Sequence, residues 1–348
     1  MPPRPRRAAA AAVALALLGS LGLSGCAGTP AAGTPLTVTL GYFPNLTHAP
    51  ALVGVEKGTY AAALGQGVQL KTVTFNAGPA ALEALNAGSV DITFIGPNPT
   101  ITGFTRSKGQ ALRVISGAAA NGAALVVSKD ITTPAQLKGR RLATPQLGNT
   151  QDVALRYWLK EQGFATDTEG GGDVSILPQE NATTLQAFSA GEIDGAWVPE
   201  PWATRLVRDG GGHVLVDEAE LWPDKKFVVT NVVVRTQFLT EHPEQVKAFL
   251  TGLLDTLDGI AADPEGAKKV VNDQLKALTG KGMDAAVLDE AWGKVVFTAD
   301  PLASTLAEGA AHASAVGLLE QPDLTGLYAV DTLNGLLAER KEKAVSVP

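Results

Sequence analysis

Cysteine is almost missing from this chain: Cys26 is the only one in 348 residues. A lone thiol excludes an internal disulfide, a cysteine-based zinc site and two-thiol redox work. Histidine is nearly as scarce. His48, His213, His242 and His312 are scattered, with no metal-ligand spacing and no H-E-x-x-H pair, so no metal is expected. Neither a Walker phosphate loop nor a G-x-S-x-G elbow occurs. Gly170-Gly171-Gly172 and Gly210-Gly211-Gly212 lack the strand–loop–helix setting of dinucleotide binding, and they read as loop insertions. No cofactor and no catalytic residue is expected. Basic charge is also short, with 28 Lys and Arg against 35 Asp and Glu and no basic run, which argues against nucleic acid. Aromatics make up 5% against 45% hydrophobic residues, so the core is aliphatic and rich in alanine.

The N-terminus carries an address. Arg4, Arg6 and Arg7 precede an apolar run from Ala8 to Leu18, and small residues follow. This pattern is a secretory signal, too short and wrongly flanked to span a membrane. Leu23-Ser24-Gly25-Cys26 resembles the lipobox of bacterial lipoproteins, which implies cleavage after residue 25 and a lipid on Cys26. Thr29 to Pro35 reads as a flexible tether, giving a signal over 1–25 and a lipidated tether over 26–35. Without the three leader arginines the formal charge moves from −7 to −10. The expected location is the outer face of the bacterial cytoplasmic membrane, held by lipid alone.

One phrase is written twice, 103 positions apart. Leu82-Glu83-Ala84-Leu85-Asn86-Ala87-Gly88-Ser89-Val90-Asp91 leads into Ile92 to Pro97, and Leu185-Gln186-Ala187-Phe188-Ser189-Ala190-Gly191-Glu192-Ile193-Asp194 leads into Gly195 to Glu200. Five of the ten positions are identical. Each copy predicts an amphipathic helix stopped by a left-handed glycine, then a short strand, then a proline turn into another helix. Two copies of one unit suggest two similar lobes, and ligands in open α/β sheets sit outside the carboxyl ends of the strands.

Strand-like and helix-like runs alternate along the body. Leu36–Tyr42, Val68–Phe75, Arg113–Ser116, Ala123–Ser128, Arg141–Thr144, Val174–Leu177, Val214–Val216 and Phe227–Arg235 read as strands. Ala49–Leu64, the segment from Pro79, Thr150–Gln162 and Pro201–Val207 read as helices, and the chain after Pro243 is mostly helical. The expected fold class is α/β: two lobes, each a mostly parallel sheet flanked by helices, with a ligand cleft between them. Expected boundaries are 36–122 with 228–348 for lobe 1 and 123–227 for lobe 2.

Six loops at the predicted strand ends carry the candidate chemistry. They contain Phe43 to His48, Asn76 to Pro79, Gly96 to Thr100, Gln146 to Thr150, Gln179 to Ala182, and Pro199 to Trp202. All stand at or near helix starts, where free N–H groups and the helix dipole favour anions. None contains Lys or Arg. The candidate ligand residues are Tyr42, Phe43, Asn45, His48, Asn76, Gly78, Asn98, Thr100, Asn149, Thr150, Asn181, Glu200 and Trp202. Asn and Thr also serve as ordinary N-caps. Trp197 reads as core, His48 as solvent-facing or capping, and Glu200 either meets a ligand amine or simply suits a helix's first turn.

Gly41-Tyr42-Phe43-Pro44-Asn45, Ala80 to Asp91, Leu137-Lys138-Gly139 and Val198-Pro199-Glu200-Pro201-Trp202 resemble the aliphatic sulfonate, taurine and nitrate solute-binding proteins. That resemblance implies a type II periplasmic-binding fold that closes on its ligand. It further implies a monomeric receptor delivering a small anionic solute, a sulfonate foremost, to an ABC permease with its cytoplasmic ATPase. Nitrate, another small anion or a pyrimidine is the same role with a different ligand. Related fungal pyrimidine-synthesising proteins carry a histidine in a similar loop together with a cysteine-rich motif, and this chain has no such motif. A pyrimidine-synthase-like enzyme is the alternative of another class, and a ligand sensor for a membrane kinase is a third.

Overall fold

The computed structural model describes residues 35–320 and 322–348, so the leader and Cys26 lie outside the described residues. The strands in chain order are β1 (Leu36–Tyr42), β2 (Val68–Thr74), β3 (Ile92–Ile95), β4 (Leu112–Asn121), β5 (Ala123–Val127) and β6 (Arg141–Thr144). They continue as β7 (Ser175–Pro178), β8 (Gly195–Pro199), β9 (His213–Asp217), β10 (Val228–Arg235) and β11 (Val295–Phe297). The helices are α1 (Ala49–Glu56), α2 (Thr59–Leu64), α3 (Gly78–Asn86), α4 (Pro97–Arg106), α5 (Thr150–Glu161), α6 (Asn181–Ser189) and α7 (Trp202–Arg208). The C-terminal part adds α8 (Thr236–Glu241), α9 (Pro243–Ala262), α10 (Pro264–Thr279), α11 (Ala285–Trp292), α12 (Ala303–Ala315) and α13 (Asp331–Glu339).

Two sheets form two lobes. The first has the order β11-β4-β10-β3-β1-β2 and the second β7-β6-β8-β5-β9. The chain leaves the first sheet at Asn121 and enters the second at Ala123, and it returns between β9 and β10. Strands such as Ile92–Ile95 are buried on both faces because helices cover both sides. Tyr60, Phe94 and Phe249 pack together beneath α9, with Tyr60 and Phe249 ring centroids 4.8 Å apart.

The sheets are mixed rather than purely parallel, with most strands of each running the same way. β1 pairs in parallel with β2 and β3, as β6 does with β7 and β8, but β10 runs antiparallel to both β3 and β4. β5 likewise runs antiparallel to β8 and β9. The crossovers are the cause. A strand arriving from the other lobe enters at the cleft edge and runs outward, against strands whose carboxyl ends face the cleft. The pairing of Ala123 with Pro199 places the start of β5 beside the end of β8. Two expectations are corrected. Ala49–Leu64 is two helices, broken at Gly58 with φ +70°. Within the mostly helical stretch after Pro243, Val295 starts a strand, β11, which pairs with β4.

The written repeat is a structural repeat. Gly88 and Gly191 take φ of 71° and 73°. Behind them Ser89 N–H donates to Ala84 O at 2.9 Å, and Glu192 N–H donates to Ala187 O at 2.8 Å, the same Schellman closure. The aspartates also match. Asp91 Oδ2 accepts from Thr39 N–H at 2.9 Å and Asp194 Oδ2 from Arg141 N–H at 2.8 Å. Each pairs its other oxygen with an arginine, Arg235 or Arg140. These carboxylates lock each helix–strand unit to the neighbouring parallel strand.

Candidate ligand-binding cleft

All six sequence loops open helices. Asn45 precedes a short 3-10 turn leading into α1, and the others start α3, α4, α5, α6 and α7. At none of these starts does the N-cap residue's own side chain cap the helix, so the asparagines are not spent on capping. The first N–H groups of a helix have no partner within it. Residues at the starts of α3, α5 and α6 line one small space between the lobes.

Phe43, Asn45, His48, Asn76, Asn149, Thr150 and Asn181 line this cleft, and among the described residues no Lys or Arg does. Two buried lining atoms, Thr150 Oγ1 and Asn181 Oδ1, have no protein partner. Native interiors rarely leave such atoms unpaired without a reason. The lobes meet around the space. Trp202 Nε1 donates to Asn45 Oδ1 at 2.9 Å, and Asn76 Nδ2 donates to Glu180 Oε1 at 2.6 Å. Gly96 is a steric requirement of this closeness, because a Cβ there would meet Thr150 Oγ1 at 2.5 Å.

His48 is not solvent-facing; it holds the N-cap position of α1, but its side chain makes no cap bond there. It is 2% exposed and stacks on Phe43 with centroids 4.3 Å apart. Its Nδ1 accepts from Phe43 N–H at 3.3 Å, which leaves the proton on Nε2. Burial lowers its pKa to about 3, so the ring is a neutral donor at the cleft wall.

Other candidates stand apart from the cavity wall. Tyr42 is packed in the core of the first lobe. Asn98 Nδ2 is bound to Gly309 O at 3.0 Å, and Thr100 Oγ1 returns to Gly96 O at 2.9 Å within its own helix. Gly78 offers only backbone, with Pro99 and Asn149 against it. Glu200 is occupied by Thr204 N–H, Thr204 Oγ1 and Lys294 Nζ, the last at 3.4 Å. Burial raises its pKa against the opposing pull of Lys294. Trp202 meets the cleft only through Asn45, its ring beneath Arg205. Trp197 is fully buried, as expected of core.

Thr47, Ala77, Gly96 and Pro199 on the cleft wall lie in the six loops but were not singled out, and Pro145, Gln151 and Val229 were missed. Gln151 continues the amide and hydroxyl run of Asn149-Thr150 and could have been found from it. Val229 could not, because only the insertion of β10 beside β3 brings it there. Arg156, the nearest cation on α5, is sequestered: its Nε meets Asp152 Oδ2 at 3.0 Å, and its Nη1 meets Asp167 O at 2.6 Å.

Two lobes, a closed cleft between them and an amide-lined floor define the architecture of periplasmic solute-binding proteins. A profile of the NMT1-like family matches residues 31–273, and the chain belongs to that family. The taurine-binding periplasmic protein of Escherichia coli is 30% identical over 230 residues, spanning 66% of this chain and 68% of that protein. The bicarbonate-binding protein CmpA of Synechococcus elongatus is 26% identical, over 63% of this chain and 52% of that one. Among solved structures, the alkanesulfonate-binding protein SsuA of Xanthomonas axonopodis pv. citri, bound to MOPS, superposes with a TM-score of 0.71 at 21% identity. That likeness covers 85% of this chain and 99% of SsuA, and it shows the fold.

Proposed function

We propose that this protein is the extracytoplasmic receptor of an ABC importer and captures a small anionic organic solute, an aliphatic sulfonate, in the interlobe cleft. The carrying observation is that residues at three uncapped helix starts line one small space, and that no Lys or Arg among the described residues lines it. Such a floor suits a compact anion with several acceptor oxygens. The taurine- and alkanesulfonate-binding relatives support the sulfonate assignment. A bicarbonate-binding relative supports a second reading in which the anion is smaller and inorganic.

The receptor reading carries further parts. Lobe 1 comprises 36–122 and 228–348 and lobe 2 comprises 123–227, a division supported by the change of sheet at Gly122 and before β10. Among the described residues no helix is long and apolar enough to cross a membrane, and attachment is assigned to a lipid on Cys26. The partner is a permease with its ATPase, met by a monomer. Relatives that are binding proteins support a non-catalytic role.

A thermal-shift panel of methanesulfonate, taurine, nitrate, bicarbonate and a pyrimidine tests the ligand. A solute at 100 times its dissociation constant stabilises the native state by about 2.7 kcal/mol. A sulfonate should give the largest shift. Stabilisation by bicarbonate or nitrate alone establishes the second reading, and stabilisation by the pyrimidine alone overturns the anion assignment.

A further inference from the structure

A second cavity of about 280 Å³ lies farther along α5, and nothing in the anion reading uses it. Its walls are aromatic. Tyr157 stacks on His312 with centroids 3.6 Å apart, Trp222 lies 5.4 Å from the same imidazole, and Trp158 lies 6.0 Å from Trp197. Its charges are all of one sign. Glu161 and Glu308 stand exposed at the mouth, Glu218 is 2% exposed at the floor, and among the described residues no Lys or Arg lines the space.

Glu218 is the unusual group. Its Oε2 accepts from Trp197 Nε1 at 2.7 Å, and no Lys or Arg pairs with it among the described residues. A buried carboxylate without a cation is expensive to maintain. Burial raises its pKa to about 7, so near neutrality it is about half ionised, and a cation beside it would favour the carboxylate. The imidazole does not supply one, because burial holds the His312 pKa down at about 4. Aromatic faces attract cations through their quadrupoles, and a desolvated carboxylate adds direct charge.

We propose that this cavity binds an organic ammonium group, a primary or methylated amine seated among Tyr157, Trp158 and Trp222 with Glu218 as counter-ion. The ammonium is either a free amine or the far end of a solute whose anion occupies the cleft. One face of α5 connects the two spaces. Thr150 lines the cleft, Ala154 follows one turn later, and Tyr157, Trp158 and Glu161 line the second cavity. Thr150 to Trp158 spans about 12 Å at the helical rise of about 1.5 Å per residue. A small intermediate cavity shares Thr150 with the cleft and Glu218, Trp222 and His312 with the aromatic space. The second source rests on the sulfonate reading, and the first does not.

The test uses the mature chain, with tryptophan fluorescence and calorimetry as readouts. The probes are tetramethylammonium, 6-aminohexanesulfonate, hexanesulfonate and methanesulfonate, with sodium chloride as the ionic-strength control. A free-amine site gives saturable tetramethylammonium binding, weakened at least tenfold by Trp222→Leu and by Glu218→Gln. A solute-end site gives at least tenfold tighter binding of 6-aminohexanesulfonate than of hexanesulfonate, and the same variants abolish that preference. Glu308→Gln, at the exposed mouth, leaves the fold unburdened and should weaken either response several-fold. Methanesulfonate has no ammonium, so its failure to bind would count against the cleft reading alone. No tetramethylammonium response together with no preference for the aminosulfonate overturns the proposal, as does a response that all three variants leave unchanged.

Discussion

Trp202 Nε1 donates to Asn45 Oδ1 at 2.9 Å, joining the start of α7 in the second lobe to the first loop of the first. Both residues are buried, so the bond exists only while the lobes are together. Trp202→Phe keeps the ring and removes the donor. The expected cost to the closed state is about 0.5–1.5 kcal/mol, the net value of one hydrogen bond. Small-angle scattering on ligand-free protein should show a larger mean radius of gyration in the variant. An unchanged radius together with unchanged affinity would mean that this contact does not bias closure.

Gly96 sets how closely α4 and α5 approach. A methyl group there meets Thr150 Oγ1 at 2.5 Å, inside any ordinary carbon–oxygen contact. Overpacking of this kind costs about 1–3 kcal/mol. Gly96→Ala should weaken ligand binding about tenfold or more while moving the ligand-free melting temperature little. Equal affinity in calorimetry would show that the cleft tolerates a wider closed state.

Thr150 allows hydroxyl and amide to be separated. Thr150→Ala and Thr150→Pro both lose Oγ1, and only proline also loses the N–H, at a first-turn position where helices accept it. Alanine should cost about 0.5–1.5 kcal/mol in binding, and proline a further ~1.5–3 kcal/mol for a bond to a charged acceptor. Asn149→Ala belongs with the alanine class. Thr100→Ala should leave binding unchanged, since its hydroxyl is held within α4. Calorimetric titration of the four variants decides. Equal losses for Thr150→Ala and Thr150→Pro would remove the amide from the account.

His48 gives the acid limit. Its folded pKa of about 3 lies below the ordinary 6.5, so the unfolded chain takes up the proton first. Stability is therefore lost as pH falls below 6.5, and the loss continues towards 3. At pH 5 the contribution is about 2 kcal/mol, from about 1.36 kcal/mol per pKa unit. His48→Asn keeps an acceptor near the Phe43 N–H and cannot titrate, so its urea midpoint should fall less between pH 6.5 and 5. Glu218 works in the opposite direction. Its pKa, raised from 4.5 to about 7, removes stability as pH climbs through that interval, and Glu218→Gln should flatten that slope. Parallel pH profiles for wild type and both variants would contradict these assignments.

The helix starts were legible because local chemistry fixes them. Thr150, Pro97 and Asn181 each open a helix where the residue types alone place one. The Gly88/Gly191 and Asp91/Asp194 correspondences were legible for the same reason, although the carboxylates' partners, Thr39 and Arg141, were not. Strand direction was hidden. Whether β10 runs with or against β3 depends on which edge the crossover chain enters, which is a property of the assembled lobes. The roles of His48 and Glu200 were hidden as well. Their burial is decided by distant residues, Phe94 beside His48 and Lys294 beside Glu200. The aromatic cavity shows the same limit, since α5 and α12 meet only in three dimensions.

Amide-resolved NMR of the labelled mature protein, titrated with methanesulfonate, tests the central claim most directly. An anion held by helix starts should move the N–H resonances of Ala77, Thr150, Gln151 and Asn181 most, with the His48 Nε2–H shifting alongside them. Saturable shifts centred instead on arginine or lysine side chains, with those amides unmoved, would contradict it.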